Sequence, residues 1–300
     1  MSLLTLSNDL ADLVDRAGNW VVAVNARSRI SSSGVHWRSG VIVTAEETIK
    51  RTEDITVTLP DGNTVPATLA GRDPSTDIAV LKHSADLPVA EIGDASLLKV
   101  GHIVLAVGLR SEGGVSASMG VVSALGGAWR SMYGGAIDQF IRLDLTLYPA
   151  MEGSPLVDAA GRVAGVNVPG PRGKVLTIPA STVNRVVNQL LEKGHIARGY
   201  LGVGMQPVRL TDSLKNQLSL PNVGGVIVVS IEPSAPADIA GVMIGDVLVA
   251  IDGTPVSDTS DVQAMLGPES VGKTINVQVI RGGALVELAI APGSRPRREC

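Results

Sequence analysis

A chain of 300 residues is long enough for about two domains. Its formal net charge of −4 and its dispersed basic residues exclude the electrostatic footprint of a nucleic-acid binder. Aromatic residues are only 2% of the chain while small and aliphatic ones abound, a composition suited to many short β-strands joined by glycine turns.

The opening stretch, MSLLTLSNDLADLVDR, carries Asp9, Asp12 and Asp15 and no basic n-region, so it does not read as a signal peptide. No run reaches the roughly 18 uncharged apolar residues of a membrane span. The single cysteine, Cys300, ends a basic tail over 296–300, and no internal disulfide can form. These features together predict a cytoplasmic protein, with a processed exported form left open. Residues 7–16 predict a helix capped by Ser7, with Leu10, Leu13 and Val14 as one apolar stripe. From NWVVAV onward the text changes to short β runs, punctuated by turns such as PDGN at 60–63 and DAAGR at 158–162. A second helix is predicted in STVNRVVNQLLEKG, with Ser181 as cap and Gly194 as stop. After it, HIARGYLGVGM opens another β-rich segment, which places a domain boundary near 194–199.

The segments GVIVTAEET, DPSTDIAV, YPAMEGSPLVDAAGRVAGVNV and SAPADIAGVMIGDVLVAIDG resemble the HtrA/Deg family of trypsin-like serine proteases, and the resemblance covers nearly the whole chain. It implies a mainly β protein. A chymotrypsin-like double β-barrel would span 1–196 and a PDZ domain 197–295, followed by the tail 296–300. The family needs a serine to attack the carbonyl, a histidine to take its proton and an aspartate to orient the histidine. Against its motifs, Glu47 stands at the histidine position, Asp77 at the aspartate and Glu152 at the serine. Ala150 stands where the oxyanion turn has glycine.

Carboxylates are poor substitutes at both positions. Glu47 is a weak base toward a hydroxyl, and the charge of Glu152 would sit where an oxyanion must form. Ser154 could act as nucleophile only with a base, and His36, His83, His102 and His195 all lie away from the family's histidine position. Cys300 has no partner histidine. Glu47, Asp77 and Glu152 are expected to share one cleft. The cluster would relax by facing solvent, by pairing with Lys50 or Arg51, by sharing protons, or by holding a hard cation such as Ca2+, Mg2+ or Mn2+. Otherwise no cofactor is expected. Glu46 is expected to be surface filler.

In the second domain the resemblance assigns Tyr200, Leu201, Gly202 and Val203 to the loop that holds a peptide carboxylate. Val262, Met265 and Leu266 lie on a helix beginning near Thr259 and either line the peptide pocket or fill the core. The partners expected are protein C-termini or extended peptides with apolar side chains. The family trimer is doubtful, because no aromatic residue precedes Trp20. The leading expectation is an inactive, peptide-binding family member with a scaffold or regulatory role. The alternatives are a serine-type hydrolase with a rearranged site and a cation-binding protein built on the three carboxylates.

Overall fold

The computed structural model describes residues 2–294 apart from Met132, Ala197 and Asn222; the predicted tail 296–300, with Cys300, lies outside the described residues. The chain divides into two compact units, the first ending at Ile196.

The first unit opens with helix α1, Leu3–Gly18. Its cap is Ser2, whose side chain accepts the Thr5 N–H at 3.1 Å, and not Ser7. The apolar stripe of Leu10, Leu13 and Val14 continues back to Leu6, so the helix gains a turn before Ser7. The acids of this segment lie on a half-buried amphipathic helix, with Leu13 and Ala17 facing the core.

Seven strands follow: β1 (Val21–Asn25), β2 (Ser32–Arg38), β3 (Val41–Ala45), β4 (Thr56–Thr58), β5 (Thr64–Pro66), β6 (Thr68–Asp73) and β7 (Ile78–Lys82). They form one sheet in the order β5-β4-β1-β2-β3-β7-β6. Its two outer strands are consecutive in the chain, separated only by Ala67. Strands β1, β3 and β7 read as nearly continuous apolar runs because both faces are covered. One face packs on Val22, Val24, Ile42, Ile55, Val57 and Leu81, and the other joins the main core with Val21, Val35 and Val43.

Strands β8 (Ile103–Leu109) and β9 (Val115–Gly126) begin the second layer, followed by a short pair, β10 (Trp129–Arg130) and β11 (Ala136–Ile137). Strands β12 (Phe140–Asp144), β13 (Pro155–Asp158), β14 (Val163–Pro169) and β15 (Val175–Pro179) complete a closed barrel in the order β12-β15-β14-β13-β8-β9. Closure leaves this barrel without an unpaired edge strand. Strand β15 runs directly into helix α2, Ala180–Lys193, so its N-cap is Pro179 and Ser181 lies inside the helix. Gly194 ends it at φ 72° with its N–H on the Leu190 carbonyl, as its sequence position predicts. Val183, Val186, Val187 and Leu190 of α2 seal the core shared by the two layers.

The second unit holds β16 (Gly199–Tyr200), β17 (Val203–Arg209), helix α3 (Asp212–Leu218), β18 (Gly224–Ile231), helix α4 (Pro236–Ile239), β19 (Val247–Ile251) and β20 (Thr254–Pro255). Helix α5 (Thr259–Met265) and strands β21 (Ile275–Arg281), β22 (Ala284–Ile290) and β23 (Gly293–Ser294) complete it. The main sheet runs β17-β18-β19-β21-β22, with β17 outermost. Asp258 caps α5 through a reciprocal capping box with Asp261.

Candidate functional site

Glu47 lies in the single 3-10 turn Glu46–Thr48 that follows β3. Buried hydroxyls pin this turn: the Thr48 hydroxyl donates to the Ala45 carbonyl at 2.7 Å and accepts from Ser32 at 3.0 Å. Asp77 grips the same turn from the β6–β7 corner. Its Oδ1 accepts the Glu47 N–H at 2.8 Å and its carbonyl accepts the Glu46 N–H at 3.2 Å. The corner is shaped by Asp73, whose carboxylate accepts the Ser75 N–H and the hydroxyls of Ser75 and Thr76. Asp77 itself takes a left-handed φ of 55°, a strained conformation that these bonds sustain.

Burial pushes the Asp77 carboxyl up to about 8, and the charges of Glu47 and Glu46 push the same way against the bond from the Glu47 N–H. Glu47 is also raised, first by burial and then by Glu152, with Lys50 and Arg27 opposing. Glu152 thus lies within electrostatic reach of Glu47, while Asp77 bonds the Glu47 N–H directly. Glu46 is not surface filler: its carboxylate lies 3.5 Å from Arg72, its side chain is only 15% exposed, and burial raises its pKa.

Glu152 follows the 3-10 turn Pro149–Met151. The cation facing it is Arg27, with Nη1 at 2.8 Å from Glu152 Oε2, and neither Lys50 nor Arg51; Arg51 instead donates to the Asn25 carbonyl. Arg27 Nε donates to the Ile30 carbonyl, and Nη2 donates to the carbonyls of Ser31 and Pro149. One guanidinium thus ties the 149–152 turn to the 30–31 segment.

The backbone of that turn is committed inward. The N–H groups of Met151, Glu152, Gly153 and Ser154 donate to the carbonyls of Tyr148, Pro149, Asn167 and Met151. The Ala150 carbonyl accepts the Ser33 hydroxyl at 2.7 Å, and the Glu152 carbonyl accepts the Ser33 N–H at 2.9 Å. Ala150 is not among the left-handed residues, so its methyl does not strain the turn. Gly153 does need to be glycine: at φ 80° an added Cβ would collide with Thr44, the Ser33 carbonyl and the Ala45 amide. An acyl-transfer site needs N–H donors aimed at the developing oxyanion; of the amides around this turn, those of 151 to 154 donate to carbonyls within the fold.

Ser154, the alternative nucleophile the sequence offers, is not presented to solvent. Ser154 has no exposed surface and its Oγ accepts from Asn167 Nδ2 at 3.3 Å. The histidines are engaged elsewhere: His36 with the Pro88 carbonyl and the His83 ring, His102 with the Lys99 N–H and His195 with the Lys193 carbonyl. Among the described residues no three His, Cys, Asp or Glu side chains form a metal-ligand set, and the positive charge at Glu152 comes from Arg27.

In the second unit β17 is one of the two outer strands of the main sheet, and α5 packs beside it. Val203, Met205 and Met265 are half-buried along this junction, whereas Leu201 and Val262 are fully in the core. Leu201 and Gly202 form a turn whose carbonyls accept the N–H groups of Ala237 and Glu232. Gly202 has φ 76°, and an added Cβ would strike Ala235. The Tyr200 hydroxyl donates to Glu232. Asp246, nearly inaccessible, takes a two-pronged bond from Arg281 at 2.8 and 2.7 Å, which fixes the 241–246 loop.

Comparison with known proteins places these features. Residues 32–166 match the trypsin-like peptidase domain, and residues 199–291 match the PDZ domain. A probable periplasmic serine endoprotease DegP-like from Pseudomonas fulva is 33% identical over 86% of this chain and 54% of its own length. Its counterpart from Bartonella henselae is 34% identical over 87% of this chain and 52% of its own length. The chain therefore spans about half the length of these curated relatives. Among solved structures, the HtrA-type protease AlgW with tripeptide superposes with a TM-score of 0.73 at 31% identity, covering 96% of this chain and 97% of that one. The serine endoprotease from Yersinia pestis gives 0.75 at 27% identity, covering 95% and 98%.

The relatives' periplasmic naming overturns the cytoplasmic expectation. The acids that argued against a leader belong to the solvent face of folded helix α1, so they carry no information about compartment. With a peptidase-type barrel, a PDZ unit and structural relatives matched along nearly their whole length, the chain belongs to the HtrA/DegP family of trypsin-like serine endoproteases.

Proposed function

We propose that this chain is a family member that binds peptides without cutting them, a pseudoprotease in which the PDZ unit supplies the working surface and the peptidase fold a scaffold. The observation that carries the reading is the 151–154 turn, whose amides bond inward. Glu152 stands at the nucleophile position with its carboxylate on Arg27, and the neighbouring amides donate inward. At the base position Glu47 is a carboxyl with a raised pKa, whose backbone N–H donates to an Asp77 that binds a proton up to about pH 8. The side chain at the nucleophile position is a carboxylate with no hydroxyl proton to give, so Glu47 has no nucleophile to activate.

The peptide surface is supported by the outer strand β17, the glycine turn at Gly202 and half-buried Val203, Met205 and Met265 beside α5. An extended peptide would add a strand to β17 and place its terminal carboxylate at the 200–203 turn, with an apolar side chain against the methionines. The peptide-bound state of the HtrA-type relatives and their periplasmic naming favour an exported protein that meets protein C-termini there. Fluorescence polarisation with a peptide ending in a free apolar residue tests this. Binding that weakens at least tenfold when the terminus is amidated is expected; equal binding of both forms, or of neither, contradicts it.

A further inference from the structure

We propose that His36 and His83 form a binding site for one borderline divalent metal ion of the zinc class, on the flank of the first sheet and independent of peptide binding. His36 lies in β2 and is 2% exposed. Its Nδ1 is 2.9 Å from the Pro88 carbonyl, which can only accept, so Nδ1 carries the proton and Nε2 the lone pair. That Nε2 is buried and has no hydrogen-bond partner among the described residues. His83 follows β7 and is held by its own N–H on the Gly40 carbonyl at 3.1 Å. Both of its ring nitrogens are likewise buried without a partner. Three orphaned imidazole nitrogens in one place are an anomaly, since an unsatisfied buried polar atom costs about 1–3 kcal/mol.

The spacing fits a shared ion. The ring centroids are 4.8 Å apart, with the planes at 71°. A Zn–N bond of about 2.0–2.1 Å puts each ring centre about 3.2 Å from the metal, so angles between square and tetrahedral separate the centres by about 4.5–5.2 Å. The hydrogen bond from His36 to Pro88 is the outer contact that commonly fixes the tautomer of a metal-binding histidine. Imidazole donors suit zinc, copper and nickel over the hard ions Ca2+ and Mg2+. The pair provides two ligands, and water would complete the shell. A metal here would clip β2 to the end of β7, the strands on either side of β3.

The test uses the full chain in a Cys300→Ser background, stripped with chelator and titrated with ZnCl2 while histidine ring signals are followed by NMR. One equivalent should bind saturably, shifting the signals of His36 and His83 while those of His102 and His195 stay fixed. His83→Gln, at a half-exposed position, should keep the fold and weaken binding at least tenfold. Three results each overturn the proposal: no saturable binding, binding unaltered in His83→Gln, or a pair that responds to acid alone and not to zinc.

Discussion

Arg27 Nη1 sits 2.8 Å from Glu152 Oε2, and both side chains are only 18% exposed. The same guanidinium also holds the Pro149 carbonyl, so it stabilises both the side chain and the backbone of the turn. Removing it leaves a half-buried carboxylate unpaired. Arg27→Ala is expected to destabilise the protein by about 1–3 kcal/mol, and Glu152→Gln in the same chain should recover part of that loss. Urea unfolding of the four species of this cycle measures the coupling; strict additivity would remove the pair from the account.

The Asp77 carboxyl makes a sign-specific prediction. Its folded pKa of about 8 lies above the unfolded value of about 3.9. Between those values the folded state holds a proton that the unfolded chain releases. Its contribution is therefore full below about pH 4 and is lost as pH rises through about 8, with a slope of up to about 1.4 kcal/mol per pH unit. Asp77→Asn retains an acceptor for the Glu47 N–H and removes the titration. Stability measured from about pH 5 to about pH 8 should fall less steeply in the variant; parallel curves would contradict the assignment.

Asp246 and Arg281 test the second unit's scaffold. Burial raises the Asp246 pKa, but the Arg281 hydrogen bonds and charge outweigh it and hold the carboxyl below its usual value. Its stabilising contribution is thus present above the unfolded pKa and lost as pH falls below it. Arg281→Ala strands a nearly inaccessible carboxylate and should lower the midpoint of thermal or urea unfolding. An unchanged midpoint would show that the pair does not fix the 241–246 loop.

At the peptide surface, Met265→Glu places a charge beside β17 at a half-buried position. It should leave the unfolding midpoint nearly unchanged and reduce affinity for an apolar C-terminal peptide by at least tenfold, about 1.4 kcal/mol. Unchanged affinity would move the peptide away from the α5–β17 junction.

Much of this was legible in the sequence because motif text survives where geometry is strict. The Asp73–Asp77 corner needs its own hydroxyls and carboxylates, and the 202 and 153 turns need glycine. Arg27 was not legible: it follows β1 in an irregular segment and meets Glu152 across 125 residues of chain. His36 and His83 meet only because β2, β3 and β7 pair side by side. Val262 and Leu266 read equally well as groove or core from an apolar pattern, and only the direction of each side chain decides for the core. Glu46 looked idle because its partner, Arg72, comes from β6.

The most direct measurement is digestion of unfolded casein by the purified chain, alongside labelling by a serine-directed phosphonate. No fragments and no labelled serine are expected. Casein cleavage that disappears in Ser154→Ala would contradict the account at its root.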